Sequence, residues 1–351
     1  MRLPEKNGKV DREKAVALLR RGYELGINLF DSAPYYHNGE SEVVLGEALV
    51  GIRDNVCVST KCPMEVGPSR WLSMLEQSLR RLRTDHIDFY HCWGIGWDSF
   101  AGNVQGEGRF LSEIRKAKEE GTVRHLSFSF HDGAQNLSRI VDAGVFETML
   151  VQYNLLDRSN EQGIAHAHAQ GLGVAVMGPV GGGRLGPPAP AIQKLVSSTV
   201  KSTAETALRF VFANPNVDVA LSGMSAIQQV EENAALASLG AELSEAELGR
   251  VNAMAEENKR LADLYCTGCN YCTPCPHGIN VPEIFKIYNY HRLYGIEEAA
   301  RGLYAALAPD GPPWSRSAKA DTCQECGECE SKCPQHLPIM ERLKEAHAVL
   351  G

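Results

Sequence analysis

Eight cysteines near the end of the chain have the spacing of metal ligands. Cys266, Cys269, Cys272 and Cys275 run as C-x2-C-x2-C-x2-C, followed by Pro276; Cys323, Cys326, Cys329 and Cys333 run as C-x2-C-x2-C-x3-C, followed by Pro334. Thiolates in this repeat can hold two four-iron, four-sulfur clusters. The fourth cysteine of each run then ligates the cluster whose other three ligands come from the opposite run. A zinc ribbon needs only paired C-x2-C, and a disulfide scaffold needs no such repeat; the doubled triple spacing with Pro after it favours iron and sulfur. Cys57, Cys62 and Cys92 lie outside the runs and read as small apolar residues.

A second set of reactive types recurs at the ends of short apolar runs: Asp31, Tyr36, Lys61, His91 with Trp93, Ser129 with Phe130, Gln152 with Asn154, and Gly181–Arg184. A tyrosine is a weak acid, with a free pKa of about 10. A lysine cation beside it favours the phenolate and lowers that value, and an aspartate paired with the lysine keeps the ammonium in place. Such a tyrosine can pass a proton to or from a carbonyl oxygen while hydride moves at the carbon. Each residue alone has a plainer reading: Tyr36 as a loop anchor, Lys61 as a surface lysine, Asp31 as a turn former, His91 as a core histidine.

The elements that must position them alternate. Apolar runs at Ile27–Ser32, Val56–Lys61, Asp88–Trp93, His125–Phe130, Thr148–Asn154, Gly173–Pro179 and Val217–Gly223 are separated by stretches of helical period. In one of these, Leu72, Leu75, Leu79 and Leu82 share a predicted face. Buried strands alternating with helices predict an α/β fold with a parallel sheet, of the (β/α)8 TIM-type barrel class, with reactive groups at the carboxyl ends of its strands. Seven strands are visible. Before the first helix, expected at Asp11–Leu25, only the short Met1–Pro4 could serve as a strand, so either the first strand is missing, or a partner or another segment fills the gap. The expected division is a barrel over 1–262 and a small α-rich, cluster-binding domain over 263–351. The two cysteine runs are separated by an insert whose first part, Val281–Leu293, reads as helix.

Composition narrows the class. The 351 residues are 44% apolar and 22% charged with a net charge of −8, which points to neither nucleic acid nor an anionic membrane surface. The polar start predicts no signal peptide, and no apolar run reaches spanning length, so the expected compartment is the cytoplasm, where thiols stay reduced.

The segments Leu29–Tyr36, Gly39-Glu40-Ser41-Glu42 with Leu45-Gly46, Ser59-Thr60-Lys61, Asp85–Tyr90, Gln152-Tyr153-Asn154, and Gly223-Met224-Ser225 with Glu232-Asn233 resemble, in this order, the aldo-keto reductases. With its tail, the chain resembles the branch of that family carrying a ferredoxin-type domain. The resemblance implies a catalytic tetrad of Asp31, Tyr36, Lys61 and a histidine. Counted from Asp85-His86-Ile87-Asp88, the histidine position holds Trp93, and His91 stands two residues earlier on the same strand face. It also implies a nicotinamide dinucleotide. Ser129, Gln152 and Asn154 would lie at its carboxamide, with Phe130 replacing an asparagine. Gly181, Gly183 and Arg184 would lie near the pyrophosphate. Gly223, Ser225, Gln229 and Asn233 would hold the rest. With no lysine or arginine in Gly223–Gln229 to meet a 2′-phosphate, NAD is slightly favoured over NADP. Two readings follow. Either the chain is an oxidoreductase on a small-molecule carbonyl or alcohol whose clusters relay electrons, or it is an electron-transfer subunit with an altered barrel that docks on a redox protein partner. A two-electron donor and one-electron clusters need an adaptor such as a flavin, for which the sequence shows no specific site.

Overall fold

The computed structural model describes residues 2–64, 67–106, 109–196, 200–240, 243–263, 271–312, 314–333 and 336–351. Cys266 and Cys269 therefore lie outside the described residues. The chain divides into two compact units, the first comprising Met1–Gly182 and Ala207–Glu242, the second Gly183–Thr206 and Leu243–Gly351. Compared with the boundary expected at residue 262, the second unit also takes in 183–206 and 243–262.

The first unit opens with a two-stranded hairpin, β1 (Glu5–Lys6) and β2 (Lys9–Val10). Asn7 and Gly8 take left-handed backbone at its turn, the geometry that a two-residue hairpin with matched twist demands. Seven parallel strands follow: β3 (Leu29–Asp31), β4 (Cys57–Pro63), β5 (Ile87–Ile95), β6 (Val123–Phe130), β7 (Thr148–Gln152), β8 (Gly173–Met177) and β9 (Val219–Leu221). They pair in chain order, as successive right-handed crossovers require, into a nearly closed barrel of which β3 and β9 are the unpaired ends among the described residues. No eighth strand joins it among those residues. Leu3, in the segment before the hairpin, is nonetheless buried, and its N–H donates to His37 Nε2 at 3.1 Å.

The motif residues of the first crossover are fixed by packing. Helix Glu40–Ala48 lies against helix Pro68–Leu82. A Cβ on Gly46 would stand 2.5 Å from the Arg81 carbonyl oxygen, so only glycine permits this approach. Glu42 is fully buried and accepts from Thr60 Oγ1 at 2.7 Å and from Arg81 Nη1 at 3.1 Å. Ser41 and Ser32 share a hydrogen bond of 2.8 Å. Helix Pro68–Leu82 corrects one expectation: Trp71, Met74, Leu75, Ser78 and Leu82 face inward and Leu72 is exposed, because the large indole at 71 takes the inner position.

The second unit is helical. Helix Val281–Arg292, capped by the Asn280 side chain, buries Ile284, Phe285, Ile287 and Tyr288. Helix Glu297–Ala305 follows, and Ile339–Leu350 buries Leu343, Ala346 and Leu350. Tyr304 ties the pieces together: its hydroxyl receives the Ala320 N–H and bonds His347 Nδ1, both at 2.9 Å. No helix among the described residues is long and apolar enough to cross a membrane.

Candidate active site and metal centre

The parallel register explains why residues far apart in sequence meet. Asp31 on β3 is aligned with Ser59 on β4, and Lys61 on β4 with His91 on β5. All four point inward, since side chains two apart share a strand face. Lys61 is buried, and its Nζ lies 2.7 Å from both Asp31 carboxylate oxygens and 2.6 Å from the Ser32 carbonyl. Ser59 Oγ donates to Asp31 Oδ1 at 2.7 Å. Burial alone would raise the Asp31 pKa, but the Lys61 ammonium and its hydrogen bond more than offset this and hold it below the ordinary carboxylate value.

Tyr36 follows β3, and the Lys61 ammonium stands 4.9 Å from its ring centroid. The expected lowering of the tyrosine pKa is corrected here. Desolvation of the phenolate is the larger influence, so Tyr36 is raised above its ordinary value although Lys61 acts in the opposite direction. The chain then turns through three left-handed residues, His37, Asn38 and Gly39. Backbone of this kind at non-glycine residues costs about 1–3 kcal/mol each and persists only where neighbours hold it. His37 is held at both ring nitrogens, by the Leu3 N–H at Nε2 and by Glu5 Oε1 at Nδ1 (3.0 Å). The sequence reading did not single out His37; a histidine directly after the reactive tyrosine was the available signal.

Trp93 occupies the barrel mouth between two tyrosines, with ring centroids 5.7 Å from both Tyr35 and Tyr36. The β5–β6 register shifts between Cys92 and Ile95, and Gly94 takes φ +67° there, donating its N–H to Ser129 Oγ at 2.8 Å. A bulge at a strand end re-aims its neighbours. His91 lies one layer deeper, only 3% exposed, with Nε2 3.9 Å from Asp31 Oδ1. Burial first, then the Lys61 charge, lowers its pKa to about 3, so the imidazole is neutral. A second imidazole, His131, was missed by the sequence reading. It directly follows β6, donates its backbone N–H to the Ile95 carbonyl at 3.1 Å, and brings Nδ1 to 3.9 Å from where a Cβ on Gly94 would stand.

The other candidates fall into three groups. Asn154 is buried and fully engaged, donating to the Gly178 carbonyl and accepting from the Leu156 and Asp157 N–H groups. Gln152, by contrast, packs its amide against Gly178, where a Cβ would stand 2.8 Å from Oε1. Gln229 caps helix Ile227–Ser238 by accepting from the Ser225 and Ala226 N–H groups, and Asn233 donates to Ser222 Oγ. Gly181, Gly182 and Gly183 all have positive φ, and Gly223 lies against the Arg2 stem, with room for no Cβ. Arg2 also donates to the Gly182 carbonyl at 2.7 Å. Arg2, from the start of the chain, therefore lays its aliphatic stem on Gly223 while its guanidinium bonds the Gly182 carbonyl. Gly183 and Arg184 belong to the second unit, where Arg184 Nη1 donates to the Tyr290 hydroxyl at 2.9 Å.

Within the second unit, one cavity is lined by Cys323, Cys326 and Cys329 of the second run together with Cys275 and Cys272 of the first. Ile279, Val281, Met340 and Leu343 supply apolar walls. The three leading thiols of one run with the last thiol of the other form the donor set that crossed ligation requires, so these residues fit a four-iron cluster. Cys272, which the crossing gives to the other cluster, lines the same cavity, and Cys333 does not.

Two family models cover this chain: the aldo/keto reductase family over residues 1–256 and the 4Fe-4S dicluster domain over residues 265–339. The chain belongs to the aldo/keto reductase family. It is an oxidoreductase of that family with a 4Fe-4S domain. Its relatives include L-galactose dehydrogenase of Arabidopsis thaliana, 30% identical over 286 residues, covering 72% of this chain and 88% of that protein. Methylglyoxal reductase YeaE of Escherichia coli K12 is 31% identical over 249 residues, covering 69% and 84%. Among solved structures, the aldo-keto reductase of Klebsiella pneumoniae in complex with NADPH superposes with a TM-score of 0.61 at 27% identity, covering 72% of this chain and 89% of that one.

Proposed function

We propose that the barrel exchanges hydride and a proton with a small carbonyl or alcohol, using Tyr36 as the acid and base. The observation that carries this reading is the buried Lys61, ion-paired to Asp31 and 4.9 Å from the Tyr36 ring. A nicotinamide dinucleotide, when bound, supplies the hydride. As hydride reaches the carbonyl carbon, the C=O pair moves to oxygen, and that oxygen takes the phenolic proton of Tyr36. Lys61 stabilises the phenolate left behind, and Asp31 holds Lys61 in position through its ion pair. Because its pKa is raised, Tyr36 rests protonated at neutral pH, the state that reduction needs. His91 supports the Asp31–Lys61 pair from below. The Trp93 indole, edge-on to Tyr36, is the group that would stand beside the substrate oxygen.

For the dinucleotide, Ser129 and the Gln152 amide are suited to the carboxamide, and Asn154 to holding the loop behind it. The Klebsiella relative was solved with NADPH, and Arg2, packed on Gly223, is a basic residue near that end of the site, so NADP is carried beside NAD. The clusters, when bound, supply one-electron transfer. Cys275 with Cys323, Cys326 and Cys329 would hold one, and Cys266, Cys269, Cys272 and Cys333 the other.

A second reading rests on Trp93 at the family's histidine position. In it, the barrel has lost carbonyl chemistry and the chain passes electrons to a redox protein. Anaerobic titration of the iron-loaded protein with NADH and NADPH, followed by an aldehyde panel beginning with methylglyoxal, separates the two. Nucleotide oxidation dependent on the aldehyde supports the first; no binding and no turnover with any of the panel sinks it.

A further inference from the structure

The cavity that gathers Cys275, Cys323, Cys326 and Cys329 is not electrically neutral along its wall. Lys332 and Glu328 both line it, with His277. Glu328 begins the short helix Glu328–Ser331 and Lys332 directly follows it, with Glu328 Oε2 and Lys332 Nζ 3.4 Å apart. The two side chains are 45% and 55% exposed, so each has one side on the cavity and one in water. The rest of the wall includes Ile279, Val281 and Leu343, all buried and apolar, which weakens screening on the cavity side. A second pair, Lys344 with Glu325 at 2.9 Å, flanks Cys326 without lining the cavity.

An iron–sulfur cluster's reduction potential depends on the charge around it, the hydrogen bonds to its sulfurs and its exposure. Reduction adds one negative charge, which a nearby ammonium favours and a nearby carboxylate opposes. We propose that the Lys332–Glu328 pair sets the reduction potential of the cluster held by Cys275, Cys323, Cys326 and Cys329, whose cavity both side chains line. Paired, the two charges nearly cancel at the cavity. Removing either leaves the other uncompensated, so the two removals act in opposite directions. This inference rests on the cluster assignment and not on the Tyr36 chemistry.

The test is an anaerobic potentiometric titration of the iron-loaded full-length protein, read by electron paramagnetic resonance, with iron content measured on each sample. Lys332→Gln is expected to move one of two midpoints to more negative potential, and Glu328→Gln the same midpoint to more positive potential. Lys332→Arg should leave it in place. Both midpoints unmoved in both glutamine variants, or both variants shifting the same way, overturns the proposal. Should Lys332→Gln fail to retain iron, Glu328→Gln decides alone, and an unmoved midpoint there is fatal. A wild-type protein without cluster signals would overturn the cluster assignment itself, an outcome recognisable before any variant is made.

Discussion

Trp93 stands edge-on to Tyr36, with ring planes at 88° and centroids 5.7 Å apart. The indole fills space at the mouth where an imidazole could otherwise meet the substrate oxygen. Tyr36→Phe removes the proton donor and should lower kcat for methylglyoxal reduction by about 10²–10⁴-fold, with KM little changed. Trp93→His should raise carbonyl turnover about tenfold or more if the indole limits oxygen contact. Nucleotide consumption at saturating aldehyde measures both, and a Tyr36→Phe protein with undiminished kcat would remove Tyr36 from the chemistry.

Asp31 pairs with a lysine that is buried. Asp31→Leu leaves that ammonium buried and unpaired, and should lower the unfolding free energy by about 3–5 kcal/mol. The double variant Asp31→Leu, Lys61→Met should lose less than Asp31→Leu alone. Urea unfolding followed by tryptophan fluorescence gives both numbers; equal losses would mean the pair is not coupled.

His91 gives the barrel an acid-sensitive element. Its folded pKa is about 3, below the 6.5 of a free imidazole, so the unfolded chain binds the extra proton. The stabilisation this represents is complete above pH 6.5 and is lost at about 1.4 kcal/mol per pH unit as pH falls from there toward 3. His91→Phe should flatten the slope of unfolding free energy between pH 7.5 and 5. A slope identical to wild type would show that the imidazole is protonated in the folded barrel.

Gly46 is needed for space alone. Gly46→Ala would drive a methyl group into the Arg81 carbonyl and should cost about 1–3 kcal/mol or more. Gly51→Ala, with positive φ but open surroundings, should cost less. Thermal midpoints of the two variants compare them directly, and equal midpoints would contradict the helix contact.

Crossed ligation makes the two run-ending cysteines report on different clusters. Cys275→Ala should lose the cluster of Cys323, Cys326 and Cys329, and Cys333→Ala the other, each with about half the iron. Resonance signals that vanish in the same cluster for both variants would break the crossing.

Much of this was legible because the determining physics is local. Strand ends expected from apolar runs fall within two residues of those observed, since buried parallel strands need continuous apolar sequence. The cysteine runs carry their chemistry in their spacing. What was not legible depends on long-range placement. Arg2 reaches Gly223 only because the amino-terminal segment crosses the barrel mouth. His131 comes beside Gly94 only through the register shift between Cys92 and Ile95. The sign of the Tyr36 shift turns on how deeply the phenol sits, which no spacing reveals. Helix Glu297–Ala305 was overlooked because only Ala300 and Tyr304 mark its buried side.

The cavity that draws Cys275 to Cys323, Cys326 and Cys329 has a topological result. With iron bound there, the 47 residues between Cys275 and Cys323 become a closed ring stapled at its neck. Helices Val281–Arg292 and Glu297–Ala305 both lie inside that ring. Treated as a cross-link, a staple over this length removes unfolded-chain entropy worth about 4 kcal/mol at room temperature. Iron loss would therefore release this part of the chain as one piece, and protease sites between the two cysteine runs should open together when the metal leaves.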